Sequence, residues 1–210
     1  MMRALLLSSV FLAALPAQVT VTVPNAPVSN VDRPFPGGIG RYQQWFSSFS
    51  LQGGIAEPMR FEMVEFLAGT FNTSIAAQVD CELRIGHGKF SGLLGTFDSN
   101  WDEPPIIVSP RAWVPVVATT SGQPAVTMPF ATRFTWDRLR PVVIEIRIWG
   151  NNLGNAPFNY NFRGALASNQ TMRVYGGGSA GAPSGTVLTG DGMTARFTAR
   201  PGVVLPLGTG

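Results

Sequence analysis

The stretch Ala77-Gln78-Val79-Asp80-Cys81-Glu82-Leu83-Arg84-Ile85 alternates five apolar residues with four polar ones. Side chains of a strand point to opposite faces in turn, so this run predicts a strand with Ala77, Val79, Cys81, Leu83 and Ile85 inward and one wet face. Val142 to Trp149 reads the same way, with Val142, Ile144, Ile146 and Ile148 inward. So does Met193 to Arg200, with Met193, Ala195, Phe197 and Ala199 inward. One-sided alternation argues against a parallel α/β sheet, whose strands are covered on both faces and read as continuous apolar runs.

Weaker strand patterns span Tyr42 to Leu51, Met59 to Phe66, Ile106 to Val108, Trp113 to Thr119, Val126 to Phe130 and Met172 to Tyr175. The 24 glycines and 17 prolines fall mostly between them and punctuate the chain too often for long helices. Many short one-sided strands predict an all-β fold, an antiparallel two-sheet sandwich of jelly-roll or Greek-key-like type, with a closed barrel as the second choice. In Arg41-Tyr42-Gln43-Gln44-Trp45-Phe46, alternation sets Gln43, Trp45, Ser47, Phe49 and Leu51 against Tyr42, Gln44, Phe46, Ser48 and Ser50. The first set carries the apolar load toward its end, which predicts Trp45, Phe49 and Leu51 in the core. Tyr42 and Gln44 are then free to hydrogen-bond a neighbouring loop.

The chain opens with Met1-Met2-Arg3 and the apolar run Ala4 to Leu15, closed by Pro16-Ala17. This is the pattern of a secretory signal cut after Ala17, and the run is too short to span a bilayer. Removing residues 1–17 leaves 193, enough for one domain with a sizeable core. Residues 18–39 read as an extended lead-in, residues 40–210 as the sandwich domain, and Tyr175 to Gly185 as a flexible loop. No later run is apolar enough to span a membrane.

Loss of Arg3 lowers the formal net charge from +3 to +2, and the remaining arginines are scattered, so nucleic acid is not an expected partner. The lone cysteine, Cys81, forms no intramolecular disulfide and is expected as a buried inert thiol. The lone histidine, His87, is expected to be exposed in a turn at Gly86-His87-Gly88-Lys89.

The stretch Arg41-Tyr42-Gln43-Gln44 resembles the domain opening of a poorly characterised group of exported bacterial β-sandwich proteins. The further matching pieces are Gly53-Gly54, Phe97-Asp98-Ser99-Asn100 and Val142 to Asn151, so the resemblance covers about residues 40–200. It implies a surface or secreted sandwich domain, often near a cell-anchoring tail. The segment Val203 to Gly210 departs from that pattern, lacking a hydrophobic anchor, so free secretion or retention by binding is expected instead.

Sugars present apolar C–H faces rimmed by hydroxyls, which a flat ring and amide side chains suit. Trp149, Asn151, Asn152, Asn155 and Tyr160 form such a set and are the candidate glycan-binding residues. The plainer role for these asparagines is in turns, with the aromatics capping the core. Asp98, Asn100 and Asp102 alternate oxygen ligands as a calcium loop does. Glu103 and Ser109 at the sixth and twelfth positions exclude an EF-hand, leaving a possible structural calcium as the one cofactor to consider.

The acids Glu62, Glu65, Asp80, Glu82, Asp137 and Glu145 are the material for two-carboxylate hydrolysis, with Glu82 and Glu145 the pair that could meet across a sheet. Gly177-Gly178-Ser179-Ala180-Gly181 matches a nucleophile elbow only formally, because Pro183 and more glycine follow where a helix is required. Asn72-Thr73-Ser74 and Asn169-Gln170-Thr171 match the glycosylation sequon, which alone decides nothing.

The expectation is therefore a non-enzymatic domain, secreted or at the cell surface, in adhesion, matrix association or glycan binding. The alternatives are a self-assembling surface protein and a jelly-roll glycan hydrolase or lyase.

Overall fold

The computed structural model describes residues 17–26, 28–53, 57–70, 76–166 and 169–202. The expected signal run up to Pro16, the sequon at Asn72 and the tail from Val203 lie outside the described residues. The strands, in chain order, are β1 (Val19–Val23), β2 (Val28–Val31), β3 (Gly40–Phe46), β4 (Met59–Leu67), β5 (Ala77–His87), β6 (Ile106–Val116), β7 (Pro124–Trp136), β8 (Val142–Asn151), β9 (Phe162–Leu166), β10 (Thr171–Gly177), β11 (Thr186–Thr189), β12 (Asp191–Met193) and β13 (Ala195–Pro201). One short helix, α1 (Ser48–Gln52), follows β3 and is capped by the Ser47 hydroxyl, which accepts from the Ser50 N–H. Among the described residues no helix is long and apolar enough to cross a membrane.

All strand pairings are antiparallel. A four-stranded sheet runs β1-β13-β4-β7, a six-stranded sheet β11-β10-β3-β8-β5-β6, and a small third sheet β12-β9-β2. The two larger sheets pack face to face as the expected sandwich. The three strongest strand readings hold: the predicted inward sets of β5 and β8, and Ala195, Phe197 and Ala199 of β13, lie in one core cluster. Met193 joins that core from the end of β12, because Thr194 separates it from β13. Aromatic rings bridge the layers: Phe197 of β13 stands edge-on to Phe46 of β3 at 5.6 Å and stacks on Phe61 of β4 at 4.9 Å. Each fully buried side chain of this size contributes about 1.5–3 kcal/mol. Cys81 sits in this layer, its thiol pushed up to about 12 by burial, as an inert core residue.

Three expectations need correction, and the extended lead-in is sharpened. The face assignment of β3 is reversed: Tyr42 and Phe46 face the main core, whereas Trp45 faces outward into a second apolar cluster. The strand ends at Phe46, so Phe49 projects from α1 with 74% exposure, although Leu51 is buried as expected. The lead-in is built into the sheets, β1 pairing with β13 and β2 with β9. His87 is the last residue of β5 rather than part of an exposed turn, and it is buried against Phe134 at 5.0 Å between ring centres.

Gln44 points inward with Tyr42. Its amide donates to the Met193 carbonyl at 2.7 Å, and its oxygen accepts from the Met193 N–H at 2.9 Å and the Tyr42 hydroxyl at 2.6 Å. The expected tie from this strand to a neighbouring segment is thus a paired amide clasp that fastens β3 to β12. Gly192 permits it, since a β-carbon there would lie 2.6 Å from the Gln44 amide nitrogen.

Candidate ligand-binding face

The outer face of the six-stranded sheet divides into a covered and an open half. Residues 88–105 and 178–185 lie across β10, β3 and one end of β8, where Leu93, Phe97, Trp101 and Ala182 pack on Trp45, Val143 and Val174. The glycine-rich segment read as a flexible loop is therefore part of a lid. Its chain is stitched to the other covering segment by the Phe97 N–H to Pro183 carbonyl bond at 3.1 Å and the Gly185 N–H to Gly95 carbonyl bond at 2.9 Å. Gly185 and Gly176 allow the approach, because a β-carbon on either would strike backbone of the facing segment.

Under this cover lies a buried polar network. Glu145 of β8 is fully buried, and one of its oxygens accepts from Arg41 Nε at 2.9 Å, Arg41 Nη2 at 2.7 Å and Gln43 Nε2 at 2.7 Å. The other accepts from Arg147 Nε at 2.6 Å. Arg41 is 3% exposed, donates further to Asp98 at 2.6 Å and to the Ala182 carbonyl at 3.2 Å, and lies 4.6 Å from the Phe97 ring centre. Gln43 reaches Asn100, whose amide oxygen accepts from the Leu94 N–H at 2.6 Å and whose nitrogen donates to the Leu94 carbonyl at 3.0 Å. The network thus pins the covering loop onto β3 and β8.

Toward β5 and β6 the same face opens. Register places Glu82 opposite Arg147 and Arg84 opposite Glu145, so charges alternate across the two strands. Next along the face, Arg111 of β6 grips Asp80 through both carboxylate oxygens, its Nη2 at 2.6 Å, and lies 4.5 Å from the Trp149 ring centre. Trp113, opposite Asp80, projects beside them with 55% exposure. A cleft of about 360 Å³ lies where the open half meets the loop, lined by Arg41, Arg84, Arg147, Glu145, Asp98, Trp101 and the segment Asp102–Pro105.

The cleft's loop wall is held by ion pairs. Arg140 contacts Asp102 at 3.0 Å and Asp137 at 2.6 Å, while Glu103 joins His87 Nδ1 and approaches Arg140 at 3.5 Å. The hydrogen bond from Arg41 holds the Asp98 carboxyl below the usual range, outweighing its slight burial. The His87 hydrogen bond and Arg140 do the same for Glu103. For Asp137, partial burial works upward, but donors from Arg140 and the Leu139 N–H prevail and the group is lowered. These carboxyls are anions at neutral pH, acceptors rather than proton donors.

The predicted glycan set does not come together. Tyr160 is buried against Phe162, donates to the Val117 carbonyl at 2.8 Å, and is pushed up to about 12 by burial. Asn151 binds the Ala156 carbonyl and the N–H groups of Leu153 and Asn155, while Asn155, at φ 62°, accepts from the Asn151 N–H. Asn152 is exposed, but its oxygen accepts from the Gln78 N–H. These side chains serve the turn after β8, and of the five only Trp149 reaches the open face.

The calcium candidates diverge as well. Asp98 turns to Arg41, Asn100 to Gln43 and Leu94, and Asp102 to Arg140. Among the described residues no group of three or more His, Cys, Asp or Glu side chains is arranged to hold a metal ion. Glu82 and Glu145 are diagonal neighbours on one face, as a two-acid site requires. Yet Glu82 accepts from Arg84 at 2.6 Å through one oxygen, and both Glu145 oxygens are engaged by arginines and Gln43 beneath the lid.

Sequence reasoning missed Trp113 and Arg111. The usable signal was alternation in Arg111, Trp113 and Pro115, obscured because β6 carries two register shifts against β5. No family model matches this chain, and no curated protein or solved structure is significantly similar to it.

Proposed function

We propose that this chain is an exported, non-enzymatic β-sandwich that binds glycan through the open outer face of β5, β6 and β8. The observation that carries this reading is the sequence of surfaces along that face: Trp113 and Trp149 with Arg111 between strands, then the Arg84 and Arg147 side chains, then the cleft. Trp113, exposed on the sheet, offers a stacking surface for a sugar ring, half-buried Trp149 extends it with Arg111 over its ring, and adjacent charged groups supply hydrogen bonds to the hydroxyls. The site differs from the turn after β8 and shares with it only Trp149.

The non-enzymatic part is favoured by the engagement of Glu82 and Glu145 with arginines and by the anionic character of Asp98 and Glu103, which leaves the cleft without an evident proton donor. Strand addition between copies is hindered at three of the sheet edges, where β6 carries Pro110 and Pro115, β7 carries Pro124 and Pro129, and β11 has four residues, whereas β1 leaves a proline-free edge of five residues. The export part rests on the opening pattern Met1 to Ala17 and on the resemblance at Arg41 to Gln44.

A glycan-array screen of the chain from Gln18 onward tests the binding. Hits lost in Trp113→Ala and in Trp149→Ala, with unchanged melting, support the face. Hits that survive both substitutions reject it. Mass spectrometry of exported protein beginning at Gln18 would establish the cleavage, and retention of Met1 in the exported protein would refute it.

A further inference from the structure

The charges at the cleft are already matched within the protein. Arg41 serves Glu145 and Asp98, Arg147 serves Glu145, Arg84 serves Glu82, and Arg140 serves Asp102, Glu103 and Asp137. Arginines do not outnumber carboxylates there, so the cleft is no trap for an anion. What it offers is unpaired hydrogen-bonding capacity of both kinds. Arg84 and Arg147 each hydrogen-bond a carboxylate through Nε, and among the described residues no hydrogen bond from their terminal nitrogens is seen, although both charges also act on Asp98. Asp98 and Asp102 each engage arginine through a single oxygen, and the Asp98 side chain is 79% exposed.

Donors set beside acceptors fit groups that both give and take a hydrogen bond, which is the property of a hydroxyl. A carboxylated or sulfated ligand would instead place an added negative charge beside Asp98, Asp102 and Glu103. The stacking and polar regions are also separated. Trp149 and Arg147 are two residues apart on β8, about 7 Å along the strand, with the cleft beyond. A ligand that touches both exceeds one sugar ring.

We infer that the ligand of this face is a neutral oligosaccharide, stacked on Trp113, bordered by the Arg111–Trp149 pair and held by hydroxyl contacts to Arg84, Arg147, Asp98 and Asp102. The inference deepens the glycan-binding reading and rests on it. Affinity gel electrophoresis of the chain from Gln18 onward, with mixed-linkage glucan, galactomannan, xylan and starch as neutral probes and polygalacturonate and heparin as acidic ones, separates the two.

Retardation by a neutral polymer, unchanged by added 0.5 M salt as a reagent concentration of about five times the 0.1 M at which the screening length is about 10 Å, is the expected result. Retardation by acidic polymers alone, abolished by that salt, overturns neutrality while leaving a glycan-binding face in place. No retardation by any probe counts against both the inference and the reading beneath it.

With the retained polymer's oligomers, calorimetry is expected to show at least a tenfold gain from monosaccharide to tetrasaccharide. Equal affinity across that series overturns the two-region ligand. Arg84→Gln, which removes the guanidinium beside Glu82, is expected to weaken binding about tenfold in protein confirmed as folded by circular dichroism, with some loss of melting temperature because Glu82 is buried. Full affinity in that variant removes the cleft from the proposed contact surface.

Discussion

Replacing Glu145 by Gln tests whether the network beneath the lid holds it in place. The side chain is fully buried and accepts four hydrogen bonds, three of them from guanidinium groups. A glutamine keeps the shape, but its amide nitrogen opposes one arginine donor and Arg41 loses its buried counter-charge. Breaking a buried ion pair from one side costs about 3–5 kcal/mol. Asp98 remains bonded to Arg41 at the cleft mouth, so the lower half of that range is expected.

For a chain of this size each kcal/mol lowers Tm by about 2–4 °C, giving a drop of roughly 6–16 °C for a loss of about 3–4 kcal/mol. Thermal and urea unfolding followed by circular dichroism supply the measurement. Replacing both partners, Arg41→Met with Glu145→Leu, is expected to recover part of the loss because no buried charge is then stranded. A Glu145→Gln variant within about 1 kcal/mol of the parent would show that the network adds little and that the apolar cluster alone seats the lid.

Asp98→Asn removes an exposed carboxylate from a buried arginine that keeps Glu145, and is expected to cost about 1 kcal/mol in the same assay. Tyr160→Phe leaves the Val117 carbonyl without its donor and is expected to cost about 1 kcal/mol by urea titration while leaving any array signal intact; loss of the signal would return Tyr160 to the binding surface. Asp98, Glu103 and Asp137 have folded-state values below their unfolded ones, so their contribution is full above the unfolded carboxyl range near pH 4 and is lost as pH falls through the lowered values. Melting temperature should therefore fall in that acidic window, and less steeply in Asp137→Asn. Gly192→Ala is expected to spread the Gln44 clasp and lower Tm by several degrees, and an unchanged melt would show that β12 can shift without cost.

The sandwich was legible where apolar and polar residues alternate, as along β5 and in most of β8, because the pattern then assigns the core face even where, as at Glu145, the other face is also covered. It failed in β3, which is covered on both sides: Trp45 and Phe46 are both buried, and nothing local says which cluster each enters. The cover comes from residues 88–105 and 178–185, remote from Arg41 in the chain, so the burial of Glu145 had no nearby signal. Val19-Thr20-Val21-Thr22-Val23 did alternate, yet its place after a signal-like run and before Pro24 disguised it as a lead-in. Asparagine supply after Trp149 was visible; that the backbone itself consumes it follows only from the turn geometry.

The pairing of β1 with β13 sets Val19 against Ala199, close to the two limits of the described chain. A strand made early must wait for one made late, so the four-stranded sheet cannot close until nearly the whole chain has emerged. Such distant pairings pay the loop-closure entropy before any contact repays it, which favours slow folding. Until that pairing forms the four-stranded sheet lacks its outermost strand, so the last cooperative step of folding waits on the two ends of the described chain meeting.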